Sequence, residues 1–487
     1  MDRKQLKEAV LLYTLSALSG ILLVLCFPPF SISYLGWGAL IPLFYAVNRS
    51  KSIHQVANLG GLTGLIFYAV SLRWFFNVFG FMAIGLICVI ALFISFTLIF
   101  TKKAINRFGE IVGWLIFCPV LWVGFEYFRS ERWFLEFTWF GLGYSQVNNP
   151  ILQTASIWGT YGISFFIVLS SGLIVMGLNK KRLIFFLIGL LIPIAFILLG
   201  KHKIASYDTE IRTGKAIKVA LLQDESFDLS KLLKYEQQAV AEGAGVVVWP
   251  EYAVQFSKDF KELILFKLKT GKRDILRIIG GMILHSDEAL TGSSILGGKK
   301  EQKKLVENFA LVLNEQAEIL GRYDKRHPIP IVEKKIKPSK KISPVDTAKG
   351  RIGIQICYDL DFEDGTRKLV RKGAEAILVT NLDPLAYGKL QHQQHSAMSV
   401  MRAAESGLWI ARAASSGISQ IINPIGRIIN SLAVESEGIL TGAIYLKKST
   451  TFYTRTGWLL PKICLVLTIV FCMLLMFINK KCNYSGI

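Results

Sequence analysis

Residues 1–200 and 201–456 carry two different rhythms of apolar and polar positions. In the first stretch the apolar runs are long. A helical crossing of a bilayer needs about 20 predominantly apolar residues. Runs of that order lie at 9–27, 32–48, 58–78, 80–100, 111–128, 158–178 and 183–200, with an eighth at 457–479. The spacing predicts a polytopic α-helical membrane domain of about eight spans: seven in 1–200 and one in 457–487, which ends in a short cytoplasmic tail. Basic residues punctuate alternate connections. Arg3, Lys4 and Lys7 precede the first run, Arg49 and Lys51 follow the second, and Lys102, Lys103 and Arg107 follow the fourth. Lys180, Lys181 and Arg182 follow the sixth, and Lys480 and Lys481 follow the last. The connections after the first and third runs carry neither Lys nor Arg. Basic connections stay in the cytoplasm, so both termini are expected there and 201–456 on the extracytoplasmic side. The first run lacks a small-residue cleavage site and reads as an anchor rather than a removed signal.

In 201–456 the apolar runs shorten to strand length. KVALLQ (218–223), GVVVWPE (245–251), RIIGGMIL (277–284), FALVLN (309–314), IGIQIC (352–357), EAILVTN (375–381), LWIARAA (408–414) and ISQIIN (418–423) read as strands. Leu229–Glu242 and His395–Ser406 have helical spacing. This alternation predicts an α/β sheet structure covered by helices. Two sheets sandwiched between helices fit it, and the strand order stays open.

Composition supports the membrane reading. The chain is 52% hydrophobic with a mean hydropathy of +0.43, too apolar for an ordinary soluble enzyme. A formal net charge of +21 calls for an anionic partner, either nucleic acid or a membrane surface. The basic residues cluster between long apolar runs and no nucleic-acid-binding motif is present, so the membrane is favoured and no nucleic acid is expected. Of the seven cysteines, Cys26, Cys88, Cys118, Cys464 and Cys472 lie in apolar runs and Cys482 in the tail. Cys357 alone falls in the polar domain, which leaves it without a disulfide partner there or a cysteine cluster for zinc.

Cys357 stands in RIGIQICYDLDF, at the end of a strand marked by Ile352, Ile354 and Ile356. The acidic residues that follow, ahead of Thr366–Arg371, predict a helix start, and a helix base stabilises a thiolate. A small buried core cysteine is the alternative. Glu251 ends the WPE strand, where burial beside Trp249 and Pro250 would raise a carboxyl pKa toward that of a proton acceptor. Lys325, in GRYDKRHPIP, presents a cation just after a strand. Acyl transfer through a thiol needs a base, an oxyanion holder and a nucleophile. Glu251, Lys325 and Cys357 supply them without histidine.

WPE (249–251), RYDK (322–325) and ICYD (356–359), in that order, resemble the Glu–Lys–Cys motifs of the carbon–nitrogen hydrolase (nitrilase) superfamily. With long apolar runs on both sides, the chain is similar over nearly its full length to the apolipoprotein N-acyltransferase family. FPPF near Phe27, WFGLGYSQ (139–146), QHQQHSAMSVMRAAESG (391–407) and ARAASSGISQIINPIGRI (411–428) extend the likeness. The resemblance implies a nitrilase-like αββα domain over 201–456. It also implies Glu251 as general base, Lys325 as oxyanion holder and Cys357 as the site of a thioester acyl-enzyme. Glu333 matches a supporting glutamate, and Tyr358 would lend its N–H to the oxyanion. Asp359 stands where the family often has Glu, and Val332 where a glycine is common. The implied donor is a phospholipid, often through the sn-1 chain of phosphatidylethanolamine. The implied acceptor is the α-amine of an S-diacylglyceryl cysteine at an apolipoprotein N-terminus. Neither cofactor nor metal is expected, and one chain contains the whole implied site, as a monomer would.

Two rival functions use the same features: a membrane-anchored amidase or nitrilase, with water as second nucleophile, and a non-catalytic lipid-binding protein. His392 and His395 form H-x-x-H, a weak metal motif without a third ligand. KKIKPSKK (334–341) reads as a solvated loop or as a dock for anionic headgroups, and TGSSILGGKK (291–300) as a hairpin turn. The aromatic connection 129–157 reads as an interfacial belt or as the wall of a lipid entrance. Glu126 and Arg129, three residues apart, are expected to pair.

Overall fold

The computed structural model describes residues 3–180, 182–209, 214–256, 268, 274–284 and 306–477. They form two compact units: a helical one (residues up to Trp133, Phe137–Lys201 and from Gly457 on) and an α/β one (Phe134–Glu136 and His202–Thr456). The hairpin expected at 291–300 lies outside the described residues.

Among the described residues seven helices are long and apolar enough to cross a membrane: Arg3–Cys26, Ile53–Ser71, Met82–Phe108, Glu110–Glu131, Pro150–Leu178, Leu183–Thr209 and Tyr453–Phe477. Large apolar side chains stay exposed on all seven, among them Leu18, Leu65, Leu92, Ile116, Leu178, Leu191 and Val466. Lipid tails are the solvent that suits such a surface. The run at 32–48 departs from expectation. It forms a 3-10 turn, Ser33–Trp37, and a nine-residue helix, Ile41–Arg49. Pro42 lies at the start of that helix and lacks the N–H a longer helix would need. Gly36 lets the turn approach a neighbouring loop, since a Cβ there would meet Gln146 Nε2 at 2.6 Å. Gln146 ties the turn to that loop through its side-chain amide. It accepts from Trp37 Nε1 (3.1 Å) and donates to the Ser33 carbonyl (2.8 Å). The segment still returns the chain to its starting end, where Arg49 and Lys51 each lie 3.8 Å from Glu8. Lys102 closes that end by donating to the Val47 and Asn48 carbonyls.

The expected Glu126–Arg129 pair is also corrected. Each side chain turns to a different partner. Glu126 accepts from Ser164 Oγ (2.7 Å) and Leu142 N (3.0 Å). Arg129 donates to Tyr68 Oη (2.5 Å) and the Trp139 carbonyl (2.7 Å). Both thereby hold the aromatic loop after residue 136 onto the helices.

The α/β unit contains two sheets. The first has the order β13–β1–β2–β4–β5–β6, with β3 paired to β4. Its strands are β1 (Lys215–Gln223), β2 (Val246–Val248), β3 (Val254–Phe256), β4 (Leu276–Leu284), β5 (Val306–Leu313), β6 (Ile319–Asp324) and β13 (Gly438–Leu446). The second has the order β12–β11–β10–β9–β8–β7. It comprises β7 (Val345–Asp346), β8 (Arg351–Ile356), β9 (Ala376–Asn381), β10 (Ile410–Ala414), β11 (Ser419–Ile422) and β12 (Ile428–Leu432). Parallel pairing joins β1 to β2, β2 to β4, β8 to β9 and β9 to β10. Strands β2 and β9 are buried throughout, as their unbroken Val and Ile runs require. The sheets face each other through β1 against β10 and β4 against β9, with helix Leu229–Ala241 outside the first and helices Glu363–Arg371 and Lys389–Ser406 outside the second. This is an αββα sandwich. Inside it Glu236 ties helix to sheet, accepting from Trp249 Nε1 (2.9 Å) and Arg277 Nε (2.7 Å). The helix expected at His395 begins six residues earlier at Lys389, after Gly388 turns the chain at φ +84°.

Candidate active site

Three strand ends deliver the functional groups. After β2 the chain turns at Glu251, after β6 at Lys325, and after β8 at Cys357. Cys357 sits at φ +47°, a conformation a non-glycine residue adopts only when its surroundings enforce it. It opens a 3-10 turn, Cys357–Asp361, and the helix begins only at Glu363. The sequence expectation of a thiol at a helix base therefore fails. Burial and the nearby Glu251 carboxylate push the Cys357 thiol well above its ordinary pKa of 9.0, against the pull of Lys325. The same burial favours the neutral thiol over the thiolate.

Lys325, 1% exposed, lies between two carboxylates. Its Nζ is 3.0 Å from Glu251 Oε1 and 2.8 Å from Glu333 Oε1. Burial works against its charge, but Glu251 and Glu333 outweigh it and raise the pKa well above 10.5. Burial raises the Glu251 carboxyl and Glu333 adds to the effect, while Lys325 opposes it. Asn308 Nδ2 donates to Glu251 Oε1 (2.6 Å) and to Tyr252 Oη (2.8 Å), and Tyr252 donates to Glu333 (3.1 Å). Glu333 Oε2 accepts from Ile329 N at 2.7 Å, which folds the loop after Lys325 back on itself.

The main chain of Leu382 lies between the Glu251 carboxylate and the thiol. Its N–H donates to Glu251 Oε2 (2.9 Å), and its carbonyl accepts from Cys357 Sγ (3.6 Å). Above them opens a cavity of about 430 Å³, lined by Glu251, Glu333 and Cys357 and by Phe227, Met282, Ile329, Val332, Leu382 and Tyr387. Its size and apolar wall suit one end of a small organic or lipid substrate.

Asp359 points away from the cavity. Its carboxylate accepts from the backbone N–H groups of Arg326 (3.0 Å) and His327 (2.7 Å) and from Tyr323 Oη (3.0 Å). It thus joins the Cys357 turn to the lysine loop, and its shorter arm spans that gap. Tyr358 donates its hydroxyl to the Glu136 carbonyl (2.6 Å). His392 and His395 do not converge as H-x-x-H would suggest. His392 Nε2 lies 3.0 Å from the Pro384 carbonyl, and His395 lies between Asp383 and Asp361. Sequence reasoning missed Asn308, Tyr252 and Leu382. None of the three lies in a motif singled out above, although Tyr252 directly follows WPE and Asn308 directly precedes the FALVLN run.

The described architecture matches known families over both parts. Residues 19–173 match the apolipoprotein N-acyltransferase N-terminal domain, and residues 214–453 match the carbon–nitrogen hydrolase domain. The apolipoprotein N-acyltransferase of Geobacter metallireducens is 30% identical, with 91% of each chain covered. That of Rickettsia typhi is 27% identical over 97% of this chain and 98% of its own. A carbon–nitrogen hydrolase structure from Helicobacter pylori covers 51% of this chain and 93% of its own, at 17% identity and a TM-score of 0.39. With both domains and the full-length relatives in agreement, the chain belongs to the apolipoprotein N-acyltransferase family.

Proposed function

We propose that the protein moves an acyl chain from a phospholipid to the N-terminal α-amine of S-diacylglyceryl cysteine in apolipoproteins, through a thioester on Cys357. The observation that carries the mechanism is the convergence of Cys357 Sγ and Glu251 on the main-chain carbonyl and N–H of Leu382, with Lys325 bonded to Glu251. Glu251 takes the thiol proton as sulfur attacks the ester carbonyl. Lys325 and the Tyr358 N–H hold the resulting oxyanion, which is where preorganised donors act most strongly. Collapse breaks the ester C–O bond, and Glu251 returns the proton to the departing lysophospholipid. The acceptor amine then attacks the thioester, gives its proton to Glu251, and releases the thiol and an amide. Glu333 steadies Lys325, and Asp359 keeps the lysine loop on the nucleophile turn. No metal or nucleotide enters, because the donor ester is already activated.

The apolar cavity and the lipid-facing helices suit substrates that stay in a membrane. The basic cluster of Arg49, Lys51 and Lys102 gathers at the chain's starting end, and basic ends remain cytoplasmic. Counting the broken segment 32–49 as a crossing gives an even number of traverses with both ends inside. The α/β domain is then extracytoplasmic in a multi-pass bacterial inner-membrane protein, and a monomer suffices.

The test is intact mass before and after exposure to phosphatidylethanolamine. A gain of one acyl chain is expected, labile to hydroxylamine, absent in Cys357→Ala and discharged by a diacylglyceryl-cysteine peptide. Discharge by water alone would make the protein an amidase-like hydrolase. No adduct on a folded, thiol-reactive protein would overturn the donor.

A further inference from the structure

Behind the Leu382 main chain lies a second buried constellation that the reaction above does not use. Asp383, 1% exposed, follows Leu382 directly. Its Oδ1 lies 2.6 Å from His395 Nδ1 and accepts from Gln391 Nε2 (3.2 Å), and its Oδ2 accepts from Arg412 Nη2 (2.5 Å). Its main-chain carbonyl accepts from Ser416 Oγ (2.5 Å). The other edge of the His395 ring reaches the nucleophile turn, with Nε2 3.4 Å from Asp361 Oδ1. Four elements therefore meet at one imidazole: the loop after β9, the turn after β8, helix Lys389–Ser406 and β10. Cys357 Sγ, an Asp383 oxygen and a His395 nitrogen all lie within 4.8 Å of one another.

The charges balance only if His395 is a cation, two carboxylates against guanidinium and imidazolium. A buried carboxylate left without its partner is costly. Arg412 at 2.5 Å from Asp383 also makes the group an ion-pair network rather than a metal site.

We propose that His395 is a positioning residue for acyl transfer: as a cation bridging Asp383 and Asp361, it fixes the Leu382 main chain that spaces base from nucleophile and offsets the carboxylates facing the sulfur. This rests on Cys357 as nucleophile and Glu251 as base. The groups facing His395 are Asp383, Asp361, Arg412 and Cys357, with His392 one turn earlier on its own helix. Burial alone would lower the imidazole pKa, but Asp383 and Asp361 raise it to about 9 from 6.5. A raised folded value means that the contribution is fully present below about pH 6.5 and is lost as pH rises through about 9.

The experiment uses the full chain and two readouts. One is acyl-adduct formation from phosphatidylethanolamine. The other is alkylation of Cys357 by iodoacetamide, which needs no lipid. Thermal unfolding first establishes that each variant is folded. In His395→Gln the adduct rate is expected to fall about 10²-fold, the size of a small misplacement at a reacting centre. Alkylation at pH 8 should slow roughly tenfold, because uncompensated carboxylates disfavour the thiolate. The double variant His395→Gln/Asp361→Asn, neutral again, should recover most of both losses. Wild type should lose adduct rate above about pH 9, and the single variant should lack that limb. Wild-type rates and an unchanged alkaline limb in folded His395→Gln would overturn the proposal, as would equal losses in single and double variants. Slower alkylation in His395→Gln, with no adduct on any form including wild type, would uphold the network and remove the phospholipid reading instead.

Discussion

Each unit buries a charged group of its own, and the two are built differently. In the helical unit Arg129 and Glu126 bind hydroxyls and backbone groups, which tie helix to helix through Tyr68 and Ser164 and loop to helix through Trp139 and Leu142. In the α/β unit Lys325 binds two carboxylates, and the cluster opens on a cavity of about 430 Å³ beside a thiol. The first arrangement fixes chain segments. The second holds charge in a form that can be redistributed when an oxyanion appears. Burial by itself therefore does not mark a reactive site; neighbouring charge, a nucleophile and open space together do.

Lys325→Met should separate the two most sharply. It leaves Glu251 and Glu333 buried side by side, a change that typically costs about 3–5 kcal/mol of stability. On the proposed mechanism it also removes the oxyanion holder, worth roughly 10²–10³ in rate. Both losses, read by thermal unfolding and by adduct formation in the folded fraction, are expected together. A folded variant with wild-type adduct rate would show that the cluster is structural, like its helical counterpart. Glu251→Gln is the milder break, since the amide keeps the shape and still bonds to Leu382 or Asn308. Adduct formation should fall on the order of 10²–10⁴-fold, the range for a lost general base, while alkylation at high pH survives.

Arg129→Met probes the other side. Hydrogen bonds from a charged group are worth about 1.5–3 kcal/mol each, so a lower melting temperature is expected. Cys357 alkylation in the folded fraction should be unchanged. Slowed alkylation would mean that the helical cluster is coupled to the chemistry.

Much of this contrast was legible in the sequence, and the rest was not for definite reasons. Period-two Ile352, Ile354 and Ile356, and the runs of β2 and β9, announce buried strands because both faces are covered. Strands β12 and β13 did not announce themselves, since β12 is largely exposed and β13 carries Gly438 and Gly442 among its apolar residues. Hydropathy counted 32–48 as a helix because it records apolarity, not Pro42 or the contact of Gly36 with Gln146. The motifs picked out Glu251, Lys325, Glu333 and Cys357, which line or adjoin one cavity. They carried nothing of Leu382, whose contribution is a main-chain N–H and carbonyl that any residue but proline could supply. Asp383 was equally silent, and His395 showed only as half of H-x-x-H, because their mutual contact spans 12 residues and that of Asp383 with Arg412 spans 29.

The smallest expected effect concerns the basic run after Glu333. Lys334, Lys337, Lys340 and Lys341 are exposed, while Ile336 is buried and Ser339 N donates to the Lys325 carbonyl (2.9 Å). The run is thus pinned at its base and free at its charged tips. A lysine near an anionic bilayer contributes about 1 kcal/mol, a term that salt screens. Replacing Lys337 and Lys340 by Glu should weaken binding to phosphatidylglycerol vesicles at low salt, with the difference shrinking as salt rises. Cys357 alkylation should stay at the wild-type rate, because neither side chain touches the cluster around Lys325. Equal losses in both measurements would mean that the run shapes the lysine loop rather than meeting a membrane.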